Sequence, residues 1–415
     1  MWNCSCSILA RLSDIGVLQT RNGCTKFAQI HAAIWSESNG HLFQYVQLPE
    51  TGGWLWVLKH VGFRAPCLTL EKFEMKKSLI ALAVLAASGA AMAQSSVTLY
   101  GRLDVGMAQQ TTETTGAAPV ASLSKNLVTS STLNTTYWGM MGTEDLGGGL
   151  KANFNLQQQF AVDTGAASNT LFEREAWVGL SGGFGAVQLG RNYTAYDDIR
   201  GATNNLSNTN IATTGTVFAG GLADYSTRTS NSIRYNSPVF GGVSGALVYG
   251  LGENKTAGTS ASDIIGLNIK YAAGPLMVGY AHQEEKQVQA SALVAQVTRK
   301  YDYLGATYDL GVAKLVAGYD KSKDGSFDDK GYQLGAVVPV GSAATVQFGY
   351  AKGESAGAGK ADLSSKGFTL AGTYSLSKRT TLYAGYVNTE VEKGTVGAIS
   401  TDKVTTVAAG VRHTF

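Results

Sequence analysis

The chain has 415 residues and a near-balanced charge, 33 Lys+Arg against 30 Asp+Glu, but the totals hide a split. All four Cys (Cys4, Cys6, Cys24, Cys67) and four of six Trp precede residue 75. From Gln94 onward there are 25 Lys+Arg and 25 Asp+Glu, no Cys, two His (His282, His413) and two Trp (Trp138, Trp177). That composition excludes disulfides and thiol chemistry, leaves too few ligands for a metal site, and calls for no cofactor and no nucleic-acid partner.

Residues 75–94 read Met-Lys-Lys-Ser-Leu-Ile-Ala-Leu-Ala-Val-Leu-Ala-Ala-Ser-Gly-Ala-Ala-Met-Ala-Gln. A basic start (Lys76, Lys77), a short apolar run and a small-x-small site (Ala91-Met92-Ala93) make a secretion signal cleaved between Ala93 and Gln94. A membrane helix would need about 20 apolar residues. A secretion signal must stand first to be read, so residues 1–74 are expected to be an upstream extension outside the native protein. The mature chain is then 94–415.

Along that chain the dominant period is two. Val97, Leu99, Leu103, Val105 and Met107 share one face, and Thr98, Tyr100, Arg102 and Asp104 the other. Sixteen strand-like runs follow one another, near 95–110, 133–145, 149–161, 170–180, 184–191, 229–237, 242–251, 262–272, 275–285, 298–309, 312–320, 330–339, 342–351, 366–375, 379–389 and 403–415. Every second connection is tight, as at Ala273-Gly-Pro275 and Leu310-Gly311, while the alternate ones (111–132, 253–261, 352–365) are long and polar. A sandwich would not sort its loops by parity. A transmembrane barrel does, with the apolar face toward lipid and the polar face lining the lumen. The expected fold is therefore all-β, a sixteen-strand antiparallel transmembrane barrel.

One connection is exceptional. After the run 184–191 the chain leaves strand character for about 35 residues, long for a compact fold, and returns at Asn231-Ser-Ile-Arg-Tyr-Asn-Ser237. This third long loop, with Arg191, Asp197, Asp198, Arg200, Asp224 and Arg228, is expected to fold into the lumen and narrow a water-filled pore. Gly-Tyr pairs (Gly279-Tyr280, Gly318-Tyr319, Gly349-Tyr350, Gly385-Tyr386) precede long loops, and Tyr271, Tyr308 and Tyr374 precede short turns, which suits two interfacial girdles. The chain ends on Phe415 with Val411 and His413 on the same face, a pattern suited to an outer-membrane assembly signal.

Val97-Thr-Leu-Tyr-Gly-Arg-Leu-Asp-Val-Gly106, Gly142-Thr-Glu-Asp-Leu-Gly-Gly-Gly-Leu-Lys-Ala152, Trp177-Val-Gly-Leu-Ser-Gly-Gly-Phe-Gly185, Leu189-Gly-Arg-Asn-Tyr193, Asn231-Ser-Ile-Arg-Tyr-Asn-Ser-Pro-Val-Phe-Gly-Gly242 and Gly410-Val-Arg-His-Thr-Phe415 are spread over the mature chain. Together they resemble the sixteen-strand general porins, in particular the beta-proteobacterial Gram-negative subfamily. The resemblance implies a homotrimer in the bacterial outer membrane, surrounded by lipid and lipopolysaccharide, inserted by the barrel assembly machinery, and passing small hydrophilic solutes and ions. It also implies basic wall residues set against acids on loop three. Arg191 matches one wall arginine and Arg102 the basic position of the first strand. Arg234 faces inward by alternation. Asp197 and Asp198 sit in Tyr196-Asp-Asp198, where the family has Tyr-Asp.

The expected constriction comprises Arg102, Arg191, Arg234, Asp197, Asp198 and Asp104, with Arg200 and Arg228 as additions, and its slight positive balance implies a weak to moderate anion preference. Two departures stand out. Tyr137 occupies a position that is commonly Arg, and no acid lies between Asp198 and Asp224. The alternatives are an adhesin or structural barrel, or an outer-membrane hydrolase. The last would need a base to activate a nucleophile, and only His282 and His413 are available, so no enzyme is expected.

Overall fold

The computed structural model describes residues 96–116, 121–167, 170–204, 211, 217–218 and 224–415, and the backbone of three strands within 34–58. Ala93, Gln94 and the signal segment lie outside the described residues. The chain divides into two units, Met1–Ala87 and Ser88–Phe415. In the first, β1 (Ile34–Ser38), β2 (His41–Gln47) and β3 (Trp54–Leu58) form an antiparallel sheet in that order, which the composition of 1–74 did not reveal.

The second unit is a closed antiparallel barrel. Its strands are β4 (Ser96–Thr115), β5 (Ala121–Ser130), β6 (Tyr137–Gly147), β7 (Leu150–Gln159), β8 (Glu175–Gly182), β9 (Gly185–Tyr193), β10 (Arg228–Asn236), β11 (Val243–Gly250), β12 (Ile264–Ala273), β13 (Leu276–Lys286), β14 (Thr298–Asp309), β15 (Lys314–Lys323), β16 (Asp328–Val340), β17 (Ala344–Ala356), β18 (Leu363–Ser375), β19 (Thr380–Thr395) and β20 (Ala398–Thr414). The wall has sixteen strand positions, because β5 and β6 share one. Both pair with β4, β5 against its 105–114 half and β6 against its 96–102 half. Between them, residues 131–136 leave the wall as an inward strap.

Two expected long loops are thus mostly ladder. Residues 111–115 and 121–130 belong to the upper ends of β4 and β5, and β19 and β20 pair out to Thr395↔Ala398. Their outer ends alternate among polar residues, so no apolar face announced a strand. Closure is made by β20 on β4, from Thr401↔Thr115 to Thr414↔Arg102. Phe415 completes it. Its N–H donates to the Gly101 carbonyl and the Gly101 N–H to its own carbonyl, both at 3.1 Å. Its ring covers Gly101, where a Cβ would lie 2.5 Å from Cζ.

Alternation separates the two faces. Leu267, Tyr280, Leu304, Tyr319, Leu334, Phe368 and Leu370 point outward and are exposed, while Asn268, Gln283, Tyr303, Asp320, Gln333 and Thr369 on the same strands are buried inside. An apolar outer band of this extent belongs in a bilayer, not in water. The expected girdle tyrosines Tyr271, Tyr308 and Tyr374 stand outward at the short-turn end, and Tyr280, Tyr319, Tyr350 and Tyr386 toward the long-loop end.

Candidate pore constriction

Loop three occupies residues 194–227 and opens with a helix that period-two patterning did not anticipate, α1 (Ala195–Ala202). Its start follows local chemistry. The Thr194 Oγ1 accepts from the Asp197 N–H at 3.4 Å, and Asp197 and Asp198 lie in the first turn where the helix dipole favours negative charge. The cap signature, Thr194-Ala-Tyr-Asp197, is visible in the sequence.

The loop is seated on the inner wall by wall glycines and hydrogen bonds. At Gly279 an added Cβ would lie 2.7 Å from Ile199 Cδ1, at Gly305 2.5 Å from Thr203 Oγ1, and at Gly331 2.6 Å from Phe218 Cδ1. Val217 lies over Gly353 and Ile211 near Gly385 in the same way. These glycines form a track along which loop three crosses from β13 to β19. Polar anchors flank the track. The Tyr196 hydroxyl donates to Asp320. Glu285 accepts from the Ser226 N–H (2.6 Å) and hydroxyl (3.0 Å), and the Gln333 amide donates to the Thr203 carbonyl (2.9 Å). Ser365 and Thr369 donate to the Val217 and Ile211 carbonyls.

Two expected pore residues are not at the pore surface. Asp104 is fully buried. Its carboxylate accepts the N–H groups of Thr132 (3.2 Å), Leu133 (3.0 Å) and Asn134 (2.6 Å) and the Tyr383 hydroxyl (2.7 Å), so its task is to hold the 131–136 strap. Alternation pointed it inward correctly, but the strap covers it. Arg200 is 2% exposed, ion-paired with Asp224 and sandwiched between the Phe218 and Tyr225 rings at 5.3 and 4.7 Å. It holds the loop together because the helix turns it into the loop's own interior.

Six further arginines converge on one side of the lumen. Arg102 and Arg174 flank the Tyr137 ring at 5.3 and 5.0 Å. Arg174 and Arg228 flank Tyr193 at 6.0 and 4.2 Å, and both donate to its hydroxyl. Arg191 donates to the Glu173 carbonyl and to Ser230 Oγ (2.8 Å). Arg234 donates to the Tyr193 carbonyl (2.8 Å), Asn236 Oδ1 (3.0 Å) and Asp198 Oδ2 (2.7 Å). Arg412 donates to Asn134 Oδ1 of the strap (2.6 Å) and to Thr381 Oγ1 (3.0 Å).

Arg174 and Arg412 were not among the expected residues. Arg174 falls within the expected run 170–180, where alternation would set it on the outward face of Val178 and Leu180, but it sits in a bend just before β8 that turns it inward. Its guanidinium lies over the ring of Tyr137, 5.0 Å from the centroid. Arg412 was legible by alternation, opposite Val411 and His413, but only closure of β20 on β4 brings it near Arg102.

The acids are fewer and engaged. Asp198 is shared by Arg234 and the Asn268 amide (2.9 Å), and Asp197 accepts from the Tyr225 hydroxyl. Burial pushes the Asp197 carboxyl above the ordinary carboxylate range, against that hydrogen bond. Glu175, also not expected, accepts from Asn155 Nδ2 (2.9 Å) and Trp177 Nε1 (3.1 Å). His282 and His413 face outward. His282 is bonded to Asp302 (2.8 Å) and His413 to the Thr380 hydroxyl (2.9 Å).

A closed barrel with a lipid-facing outer band, narrowed by an inward loop that faces a cluster of wall arginines, is a transmembrane diffusion channel. The family model described as "Gram-negative porin" matches residues 79–394, and the chain belongs to that family. It is 36% identical to the outer membrane porin protein 32 of Delftia acidovorans, over 82% of this chain and all of that one. To an outer membrane porin protein of Bordetella pertussis it is 30% identical, again over 82% and 100%. Among solved structures, the anion-selective porin from Comamonas acidovorans superposes with a TM-score of 0.66 at 32% identity, covering 78% of this chain and 100% of that one. The protein is thus a multi-pass β-barrel of the bacterial outer membrane and a general diffusion porin for small hydrophilic solutes and ions.

Proposed function

We propose that the channel prefers anions, and that Arg102, Arg174, Arg191, Arg228, Arg234 and Arg412 set the preference. The observation that carries this is a charge imbalance at the narrowest part of the lumen. Six arginines stand there with Asp197, Asp198, Glu173 and Glu175, and Asp198 is already paired. Low-dielectric walls focus that field, and screening over about 8–10 Å at physiological salt keeps loop-tip charges from competing with it. The similar Comamonas porin, described as anion-selective, supports the same reading. Zero-current potentials in a salt gradient test it, and a cation-preferring pore would refute it.

The arrangement serves passage, not turnover, so the protein works without enzymatic chemistry; the porin relatives are of the same kind. Liposomes holding the porin should admit small sugars at rates falling with sugar size and leave lipid esters intact. The working form is a homotrimer in lipid and lipopolysaccharide, inserted by the barrel assembly machinery through the C-terminal Phe415, His413 and Val411. The mature chain begins at Gln94, after cleavage behind Ala93, and residues 1–74 are outside the native protein. Intact-mass analysis of the outer-membrane form decides this, and retention of any of Cys4 to Cys67 would refute it.

A further inference from the structure

On the outer face of the wall, three pairs of lysines stand directly opposite one another in the strand register: Lys300↔Lys323, Lys321↔Lys330 and Lys352↔Lys366. Like charges directly opposed across a ladder destabilise it unless something neutralises them. For two pairs the protein does so itself. Lys300 meets Glu284 (2.8 Å) and Lys323 meets Asp328 (3.2 Å). Lys352 meets Glu354 (2.7 Å) and Lys366 meets Glu390 (3.0 Å).

The middle pair is different. The carboxylate opposite Lys321 belongs to Asp302, which is turned to the Tyr280 hydroxyl (2.6 Å) and His282 Nδ1 (2.8 Å). The one opposite Lys330 belongs to Glu354, which Lys352 holds. Among the described residues no ion pair reaches Lys321 or Lys330.

The height of this pair on the barrel identifies its surroundings. One outward position below it, about 7 Å toward the short-turn end, Tyr319 and Tyr332 face each other across the same two strands, both exposed. Outward tyrosines mark the membrane interface, and β15 runs from the tight turn at Leu310-Gly311 toward a longer loop. The lysines therefore stand in the headgroup layer of the outer leaflet.

We infer that Lys321 and Lys330 form a binding site for a phosphate of an outer-leaflet glycolipid headgroup, whose acyl chains run down over Tyr319, Tyr332 and Leu334. Two ammonium groups from adjacent strands bracket one phosphate, and the anion supplies the direct ion pair that neither lysine has, beyond the weaker pull of Asp302 on Lys321 and of Glu354 on Lys330. The inference rests on the reading that lipopolysaccharide surrounds the barrel, but not on the pore's selectivity.

The test uses the folded full-length porin in detergent micelles doped with lipid A carrying both phosphates, or with the same lipid A stripped of them. Native mass spectrometry counts the lipid retained per barrel. Wild-type porin should retain the phosphorylated lipid, and K321Q/K330Q should bind it at least about tenfold more weakly. K366Q should keep wild-type binding, because Lys366 is held by Glu390 and its loss leaves Glu354 on Lys352. The phosphate-free lipid should bind wild type and K321Q/K330Q alike. Conductance should stay at the wild-type value in K321Q/K330Q, since both side chains face lipid, which separates this result from any failure of the porin reading. If the double variant does not fold, K330Q alone should still show a measurable loss. Equal retention of phosphorylated lipid A by wild type and variant, or of the two lipids by wild type, would overturn the site.

Discussion

Replacing Asp104 by Asn probes how the strap and the constriction depend on each other. The carboxylate accepts four hydrogen bonds, two on each oxygen: Thr132 N–H and Tyr383 hydroxyl on Oδ1, Leu133 and Asn134 N–H on Oδ2. An amide has one oxygen, so whichever way it sits, two donors face an NH2 group. At about 1.5–3 kcal/mol for each hydrogen bond to a charged group, the loss is about 3–6 kcal/mol. It falls on the strap, because the wall ladders of β4 do not involve the carboxylate. Amide exchange at Leu133 and Asn134 should quicken by about 150-fold or more, the equivalent of 3 kcal/mol, while exchange in the wall strands holds. Arg102, which donates to the Thr135 carbonyl (3.0 Å), and Arg412, which donates to Asn134, should then lose their fixed positions. Leu133 should leave the apolar cluster it shares with Ile211 of loop three, so single-channel current should become noisier. Exchange within about twofold of wild type at Leu133 and Asn134 would refute the reasoning.

Gly331→Val places a Cβ 2.6 Å from Phe218 Cδ1 and should cost about 1–3 kcal/mol of loop-three seating. It should broaden the conductance histogram, whereas Gly372→Ala, whose nearest neighbour would be 3.7 Å away, should leave it narrow. Deleting Phe415 removes two backbone hydrogen bonds and the ring over Gly101, and should lower the yield of heat-modifiable folded porin on gels. Acidification carries a definite sign. The Asp197 carboxyl is pushed up by burial, so it loses its charge at a higher pH than an exposed aspartate would. Anion preference should therefore rise as pH falls through that raised value, and in Asp197→Asn this step should vanish from the reversal potential.

The barrel was legible because alternation and loop parity are properties of the chain itself. Tyr100 and Arg102 point inward, and Leu99, Leu103 and Met107 outward, as a period of two requires. β5 and the strap that follows it were not legible. Ala121-Ser-Leu-Ser-Lys-Asn-Leu-Val-Thr-Ser130 lacks a continuous apolar face, and its strand character comes from pairing with β4. Asp104 shows the limit of facing arguments, since alternation gives the side of the wall but not what else covers that side. Arg174 shows another, since the bend before β8 breaks the alternation that the expected run 170–180 assumed, and its place beside Tyr137 and Tyr193 exists only once β6, β8 and β9 are neighbours. The glycines at 279, 305, 331 and 353 look in the sequence like ordinary strand glycines. Their common purpose, room for loop three, appears only when that loop lies on them.

The most direct test is the zero-current potential of the purified porin across a tenfold KCl gradient, for wild type and for Arg174→Ser/Arg228→Ser. These arginines flank Tyr193 and donate to its hydroxyl. Wild type should show an anion-preferring potential that shrinks as total salt rises, and the double variant should shift toward cations with a larger conductance. A wild-type potential of cation sign, or a double variant with unchanged potential and conductance, would contradict the claim that this arginine cluster lines and polarises the pore.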